Sequence, residues 1–350
     1  MSEKQRYPKI HNAAWPGVVG KEPGTDHPPI DLDSMIAFTA NARVNGKSFD
    51  GIDLFLSEPH IPIDSSEDDI KRIAGKIGKS NLAIGTLIAP VWAPVGGSAM
   101  GSSDEIKRFL NAVKKSCQIG QWFNKTGIRT YGSIRIDSST PVGNWLRNPE
   151  RSQKKIAETF NEAADIASDW GEVLVAEGEI CWGGMHSWTA MLDLLERVDR
   201  PDVLGFQADM AHTLLYLLGY NANPEDAILP KDYDWTDIKV LDDALAKLTD
   251  KLRPWTYDLH VAQNDATVFG SGTHDKTGRH CLPTDPNGKL EIAYHAGYWL
   301  RDGEGVLTKR MRHLCWDGCM FPNDVMMKQD TWNSILASLV SVQDAHGWDE

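Results

Sequence analysis

Three side chains that commonly bind divalent cations stand where short apolar runs of the sequence end. Glu177 closes the run VLVAE, Asp209 closes VLGFQAD, and His260 lies within YDLHVA. Each run is typical of a buried strand and leads into polar loop residues, which predicts that the three side chains lie at strand ends. At the ends of neighbouring parallel strands, two carboxylates and an imidazole would converge on one divalent metal ion.

The elements that must position these side chains are short β runs alternating with amphipathic helical stretches. This alternation is typical of parallel strands joined by crossover helices. The runs span residues 9–15, 49–56, 82–90, 128–136, 172–178, 202–209, 255–262 and 313–322. Eight such runs predict a single (β/α)8 TIM barrel, whose catalytic residues come from the C-terminal ends of the strands. Because no Pro-, Gly- or Ser-rich linker divides residues 1–350, we expect one domain.

Several helix starts can also be read from the sequence. Ser66 with Asp69, and Ser102 with Glu105, have the spacing of capping boxes, and Asn148 before Pro149 suits an N-cap. Two long βα segments, 221–254 and 264–305, would follow strands at the metal-bearing rim. They predict binding loops, with subunit contacts or surface excursions as the alternatives.

Composition excludes several classes of function. The 350 residues carry a formal net charge of −13, which disfavours nucleic-acid binding, and the expected partner is a small, neutral or hydroxyl-rich molecule. Five cysteines without CxxC spacing argue against a disulfide framework and a thiolate zinc site. The first residues form no apolar signal segment, and no apolar run is long enough to cross a membrane. We therefore expect a cytoplasmic protein; a homo-oligomer remains open.

Each candidate ligand also has a structural alternative. Glu177 would otherwise form a buried ion pair, Asp209 would cap the following helix, and His260 would be a core histidine. Glu179, two residues after Glu177, competes for the ligand position and is otherwise a candidate acid or base. His280 lies in the second long segment and would reach the pocket or remain on the surface.

Candidate substrate contacts follow other predicted strands. Indole faces stack on the C–H surfaces of sugars, although a single tryptophan is more often part of the core. Polar side chains after the second and fourth strands would contact hydroxyl groups. The candidates are Trp15, His60, Trp92, Arg135 and Trp182.

From about residue 50 onward the chain resembles the xylose-isomerase-like barrel superfamily. Its most specific part is Glu177 followed 32 positions later by Asp209, with His212 three residues further on. The resemblance implies that Glu177 and Asp209 bind the metal, that His212 lies near the substrate, and that His260 is the ligand of strand seven.

The closing element GEGVLTKRMRHLCWDGCMFPN also resembles this superfamily, but with one departure. The superfamily ends strand eight with a glutamate ligand, and that position, six residues after Asp317, is Asn323 here. An asparagine oxygen can bind a cation but cannot accept a proton, so acid–base chemistry at this position is in doubt. Asp317 and Asp324 are the possible replacements.

The resemblance implies a sugar isomerase or epimerase that uses one divalent metal ion (Mn²⁺, Co²⁺, Mg²⁺ or Zn²⁺) to promote enolisation of a sugar or keto-sugar. Glu177, Glu179 and His212 would move protons. The alternative at the same site is a lyase that eliminates water or an aglycone from a 3-keto sugar. An abasic-site nuclease would need a histidine-rich zinc cluster and a basic groove, and a non-catalytic sugar-binding protein would need no metal.

Overall fold

The computed structural model describes residues 5–13, 28–269, 277–318 and 321–350, and within them eight parallel strands close into a barrel. In chain order the barrel strands are Lys9–Ala13 (β1), Gly51–Phe55 (β2), Ala83–Ile88 (β3), Ile134–Ile136 (β4), Leu174–Glu177 (β5), Leu204–Asp209 (β6), Thr256–Val261 (β7) and His313–Trp316 (β8). Each strand pairs with the next, and β8 pairs with both β7 and β1. The prediction of a (β/α)8 TIM barrel is confirmed.

Helices surround the barrel and begin where the capping signals predict. Both capping boxes form, and the Asn148 side chain accepts a hydrogen bond from the Arg151 amide at the start of its helix. The helices are Leu32–Asn41 (α1), Glu67–Lys79 (α2), Ser103–Lys125 (α3), Val142–Trp145 (α4), Pro149–Trp170 (α5), Trp188–Val198 (α6), Met210–Leu217 (α7), Ile238–Leu252 (α8), Ile292–Leu300 (α9), Asn323–Met326 (α10) and Gln329–His346 (α11). No helix within the described ranges has both the length and the apolar character needed to span a bilayer.

Strand β8 is shorter than the sequence pattern indicates. It ends at Trp316, whereas the apolar run extends to residue 322. Asp317 therefore lies directly at the C-terminal end of β8. Asn323, six residues beyond, begins α10 and lies outside the barrel strand.

The barrel interior below the strand ends is polar. Alternation along β6 and β7 turns Gln207 and Asp258 inward, while Phe206 and Leu259 pack among the buried apolar residues. Between the adjacent strands β1 and β2, His11 Nδ1 lies 2.8 Å from a carboxylate oxygen of Asp53. The buried interior groups bond to one another, which is the condition under which burying them is tolerated.

Two glycines make room for the His11–Asp53 pair. A Cβ atom at Gly51 would lie 2.4 Å from His11 Nε2, and one at Gly85 would lie 2.3 Å from Asp53 Oδ1. Both distances are far below van der Waals contact. The His11–Asp53 contact therefore requires glycine at one position on β2 and at one position on β3.

The two long segments differ in structure. In the first, residues 238–252 form α8 on the outside of the barrel, so only the preceding part is a loop. In the second, Val268–Phe269 pairs with Thr277–Gly278, and Gln263 pairs with Cys281. This second segment folds back onto the start of α7 at the C-terminal rim, where Gly278 lies against His212.

Candidate metal centre

Four buried side chains from consecutive strands converge at the C-terminal end of the barrel. Glu177 ends β5, Asp209 ends β6, His260 lies on β7 and Asp317 follows β8, and one donor atom from each lies within 4.8 Å of the others. His260 Nδ1 is 3.4 Å from Glu177 Oε1, 3.7 Å from Asp209 Oδ2 and 4.0 Å from Asp317 Oδ2. Three carboxylates and one imidazole form a donor set that suits Mn²⁺, Co²⁺, Mg²⁺ or Zn²⁺.

One atom of this group tests whether a cation fits. Glu177 Oε1 is buried and makes no hydrogen bond within the described part of the chain, although His260 Nδ1 lies 3.4 Å away. A buried carboxylate oxygen left in this state is costly, and a bound cation would remove the cost. The four residues therefore fit a divalent metal ion.

Asp209 caps a helix and also belongs to the converging group. Its Oδ1 accepts hydrogen bonds from the backbone amides of Ala211 (2.7 Å) and His212 (3.1 Å), so it caps α7. Its Oδ2 faces the converging group. Burial by itself would raise the pKa of Asp209, but His280 and His212 beside it hold that pKa well below its ordinary value.

The ring of His260 is held in place by a contact at Nε2, the nitrogen that faces away from the converging carboxylates. Its Nε2 lies 3.1 Å from the amide nitrogen of Gln207, which donates a hydrogen bond of 2.7 Å to Asp258 Oδ2. Nδ1 is thereby directed at the carboxylates. Gln207 fixes the position of the ring, and partners that fix a metal-binding imidazole contribute strongly to metal affinity, most often by accepting its second N–H.

Replacing Gln207 by leucine should therefore weaken metal binding by about 10–100-fold, because His260 loses its partner on Nε2. Competition with a fluorescent chelator measures the change in affinity. Gln153→Leu is the matched control, because Gln153 is a buried glutamine that bonds the backbone of Gly184 and Ala190 instead. Equal affinities of the two variants would show that Gln207 does not orient the ligand.

Arg135 on β4 binds the carboxylates beside the centre. Its Nη2 contacts Glu177 Oε2 and donates to Glu179 Oε1 at 2.6 Å, and its Nη1 lies 3.2 Å from Asp137 Oδ2. Burial would raise the pKa of Glu177, yet Arg135 and His260 hold it below its ordinary value. For Asp137, burial outweighs the attraction of Arg135 and raises its pKa to about 7. Arg135, expected to contact substrate, is thus placed to keep Glu177 ionised.

Glu179 and His212 lie next to the converging group. Glu179 Oε2 is 3.9 Å from His212 Nε2 and accepts a weak hydrogen bond from Cys181 Sγ at 3.6 Å. Glu177, Glu179 and His212 also form a set whose donor atoms lie within 4.8 Å of one another. Two carboxylates and an imidazole are therefore within reach of a molecule bound at the centre.

His280 is a member of the site that the sequence left undecided. The second long segment places its Nε2 3.2 Å from Asp209 Oδ2, and its ring meets that of His212 edge-on with centroids 4.9 Å apart. Burial would lower the pKa of His280, but Asp209 and Asp317 raise it to about 9. No local motif predicts this contact, because it depends on how the loop folds back.

The other expected site residues lie elsewhere. His60 is buried with Nε2 2.7 Å from the Ile30 carbonyl oxygen, outside the converging group. Asn323, expected to bind the metal, donates its side-chain amide to the Pro28 carbonyl oxygen at 2.8 Å, and the fourth carboxylate or imidazole residue of the group is Asp317. Trp15 falls outside the described residues. Trp92 packs over the Arg135 guanidinium, 5.2 Å from ring centroid to Cζ, and Trp182 is buried nearby on the rim.

Comparisons with known proteins agree with this architecture. A family model described as xylose isomerase-like TIM barrel matches residues 41–280. A search of curated protein sequences finds no match.

Solved structures share the fold at low sequence identity. One is an IolI protein with a bound zinc atom, with TM-score 0.62 and 12% identity over 97% of this chain and 99% of that one. A xylose isomerase domain protein from Planctomyces limnophilus has TM-score 0.60 and 12% identity, covering 98% and 99%. An L-ribulose 3-epimerase has TM-score 0.56 and 13% identity, covering 97% and 96%.

Proposed function

Because the chain belongs to the xylose isomerase-like TIM barrel family, we propose that it is a divalent-metal-dependent isomerase or epimerase of a sugar or keto-sugar. The observation that supports this best is the convergence of Glu177, Asp209, His260 and Asp317 at the C-terminal end of the barrel. The similar structures include a zinc-bound protein and a sugar epimerase.

The four converging residues would hold the metal ion. When bound, the ion would polarise a carbonyl or neighbouring hydroxyl of the substrate and acidify the adjacent C–H group. The protein must then supply a group that accepts this proton. Glu179 is suited to the task because Arg135 donates to its Oε1, while Oε2 faces His212.

Epimerisation also requires a group that returns a proton from the opposite face of the carbon. Asn323 could not do this, but the structure brings Asp317 into the group from β8, whereas Glu179 follows β5. Glu179 and Asp317 therefore approach from two different strands, which favours epimerisation. Elimination requires only one base and an acid for the leaving group. Arg135 lowers the pKa of Glu177 and donates a hydrogen bond to Glu179 Oε1.

The proposal predicts metal-dependent exchange of a carbon-bound proton. We expect the protein as purified to incorporate solvent deuterium into ketoses such as L-ribulose, to lose this activity after chelation, and to regain it with one of Mn²⁺, Co²⁺, Mg²⁺ or Zn²⁺. Proton NMR measures the incorporation, and thermal melting shows that the chelated protein remains folded.

Other results would support other functions. Release of water or an aglycone would indicate the lyase. Undiminished turnover after exhaustive chelation would contradict the metal-dependent mechanism. Tight sugar binding without metal and without exchange would indicate a sugar-binding protein.

A further inference from the structure

A cleft of about 1270 Å³ lies on the same rim as the candidate metal centre. Three segments that follow β3, β4 and β5 form its walls, and Asn221 adds to the lining. This volume exceeds the roughly 300–1,000 Å³ of sites that enclose drug-sized ligands. A single sugar ring held at the metal centre would leave such a space unused.

The cleft begins beside the groups proposed to move protons. Trp92 lines it and stacks on Arg135, which binds Glu177 and Glu179. Cys181 also lines it and donates to Glu179 Oε2. Two of its wall residues therefore contact groups next to the centre: Trp92 contacts Arg135, and Cys181 contacts Glu179.

The walls of the cleft are held in place before any ligand binds. Ser98 and Thr140 share a side-chain hydrogen bond of 2.7 Å, which joins the segments after β3 and β4. The Thr140 carbonyl accepts from the Gly183 amide at 2.6 Å, and Pro141 pairs with Trp182, which joins the segments after β4 and β5. Bonds between neighbouring loops preserve the shape of the cleft, so a ligand would not have to order them.

The lining combines apolar surface with hydroxyl and amide groups and with the guanidinium groups of Arg108 and Arg147. Leu146 is 55% exposed on the wall after β4 and Met100 lines the wall after β3, while Ser139 and Asn144 provide polar groups. The carboxylate of the lining residue Glu105 accepts hydrogen bonds from the amide and hydroxyl groups of Ser102, the N-cap of α3. A surface of this kind suits a pyranose ring, which has apolar C–H faces and a rim of hydroxyl oxygens that accept hydrogen bonds from guanidinium and amide groups.

We propose that the cleft binds a second sugar ring, so that the substrate is a disaccharide or other glycoside rather than a free monosaccharide. This rests on the proposed function, because the first ring is taken to react at the metal centre. The linked ring would lie against the walls described above and would make no contact with the metal.

Gly143 provides a way to fill the cleft without disturbing the fold. It lies on the wall formed by α4, and an added Cβ would meet no heavy atom within 4 Å. Gly143→Trp should therefore occupy the cleft. Gly75→Trp is the matched control, because Gly75 is also helical with no atom within 4 Å of an added Cβ, and it lies on α2 away from the cleft lining.

The test compares fructose with the glucosyl-fructose disaccharides maltulose and isomaltulose on the metal-loaded protein. We expect at least one disaccharide to bind about tenfold more tightly than fructose, with saturation transfer to its glucosyl protons. Gly143→Trp should abolish this preference and leave fructose binding unchanged, whereas Gly75→Trp should retain it. Equal binding of all three sugars to the unaltered protein, or a preference that survives Gly143→Trp, would overturn the proposal.

Deuterium incorporation into the same sugars separates the two proposals. A disaccharide preference sensitive to Gly143→Trp, without exchange into any sugar, would support the cleft assignment while contradicting the isomerase function. Exchange with fructose and both disaccharides at equal efficiency, unaffected by Gly143→Trp, would support the isomerase and overturn the cleft assignment.

Discussion

Replacing Asp317 by asparagine should lower the affinity for a divalent cation by more than the roughly 10–100-fold typical of losing an outer-shell partner, while Asn323→Ala should leave it unchanged. Asp317 Oδ2 lies 4.0 Å from His260 Nδ1 within the converging group. Asn323 instead donates to the Pro28 carbonyl oxygen. The first substitution removes a negative charge from the centre, and the second removes a bond outside it.

Isothermal titration with Mn²⁺ and Zn²⁺, supported by metal analysis of the purified variants, measures the difference. Deuterium incorporation into the substrate should fall with metal affinity in Asp317→Asn and persist in Asn323→Ala. A loss of metal affinity in Asn323→Ala, with Asp317→Asn unaffected, would restore the assignment made from the sequence.

Replacing Arg135 by methionine should destabilise the metal-free protein by about 3–5 kcal/mol, because it leaves buried carboxylates without their cation. Arg135 is 4% exposed and contacts Glu177, Glu179 and Asp137. A divalent cation at the centre would offset part of the negative charge of these carboxylates. Saturating metal should therefore stabilise Arg135→Met more than it stabilises the unaltered protein.

Arg129→Met is the matched control. Arg129 is 3% exposed and forms a buried pair with Glu172 at 2.9 Å, outside the converging group. It should lose stability by a similar amount, but its gain on adding metal should equal that of the unaltered protein. Urea unfolding with and without metal measures both quantities. Equal metal-induced gains in the two variants would contradict the role of Arg135 as counter-ion of the centre.

The local pattern of the sequence was sufficient to predict the barrel and three of the converging residues. Strand side chains alternate between two faces, and the C-terminal ends of parallel barrel strands meet at one rim. Polar residues at the ends of apolar runs therefore lie close together, and this does not depend on the conformation of the loops. Glu177, Asp209 and His260 are placed by these short-range rules.

The identity of the fourth residue of the group, Asp317, depended on the position at which β8 ends. The run taken as strand eight extends to residue 322, and the resemblance placed the ligand six residues after Asp317, at Asn323. In the structure the strand ends at Trp316, and a short helix begins at Asn323. Strand length here follows from pairing with β7 and β1, which are distant in sequence, and not from the apolar run itself.

His280, Arg135 and the cleft were decided by tertiary structure alone. His280 reaches Asp209 across 71 positions of sequence because a long loop folds back on α7. Arg135 points at carboxylates 42 and 44 positions away, and the cleft arises between three separate loops. Residue types and strand periodicity determined which groups would face the barrel mouth. Which of them meet depends on strand ends and loop paths, because those are set by contacts between segments far apart in the chain.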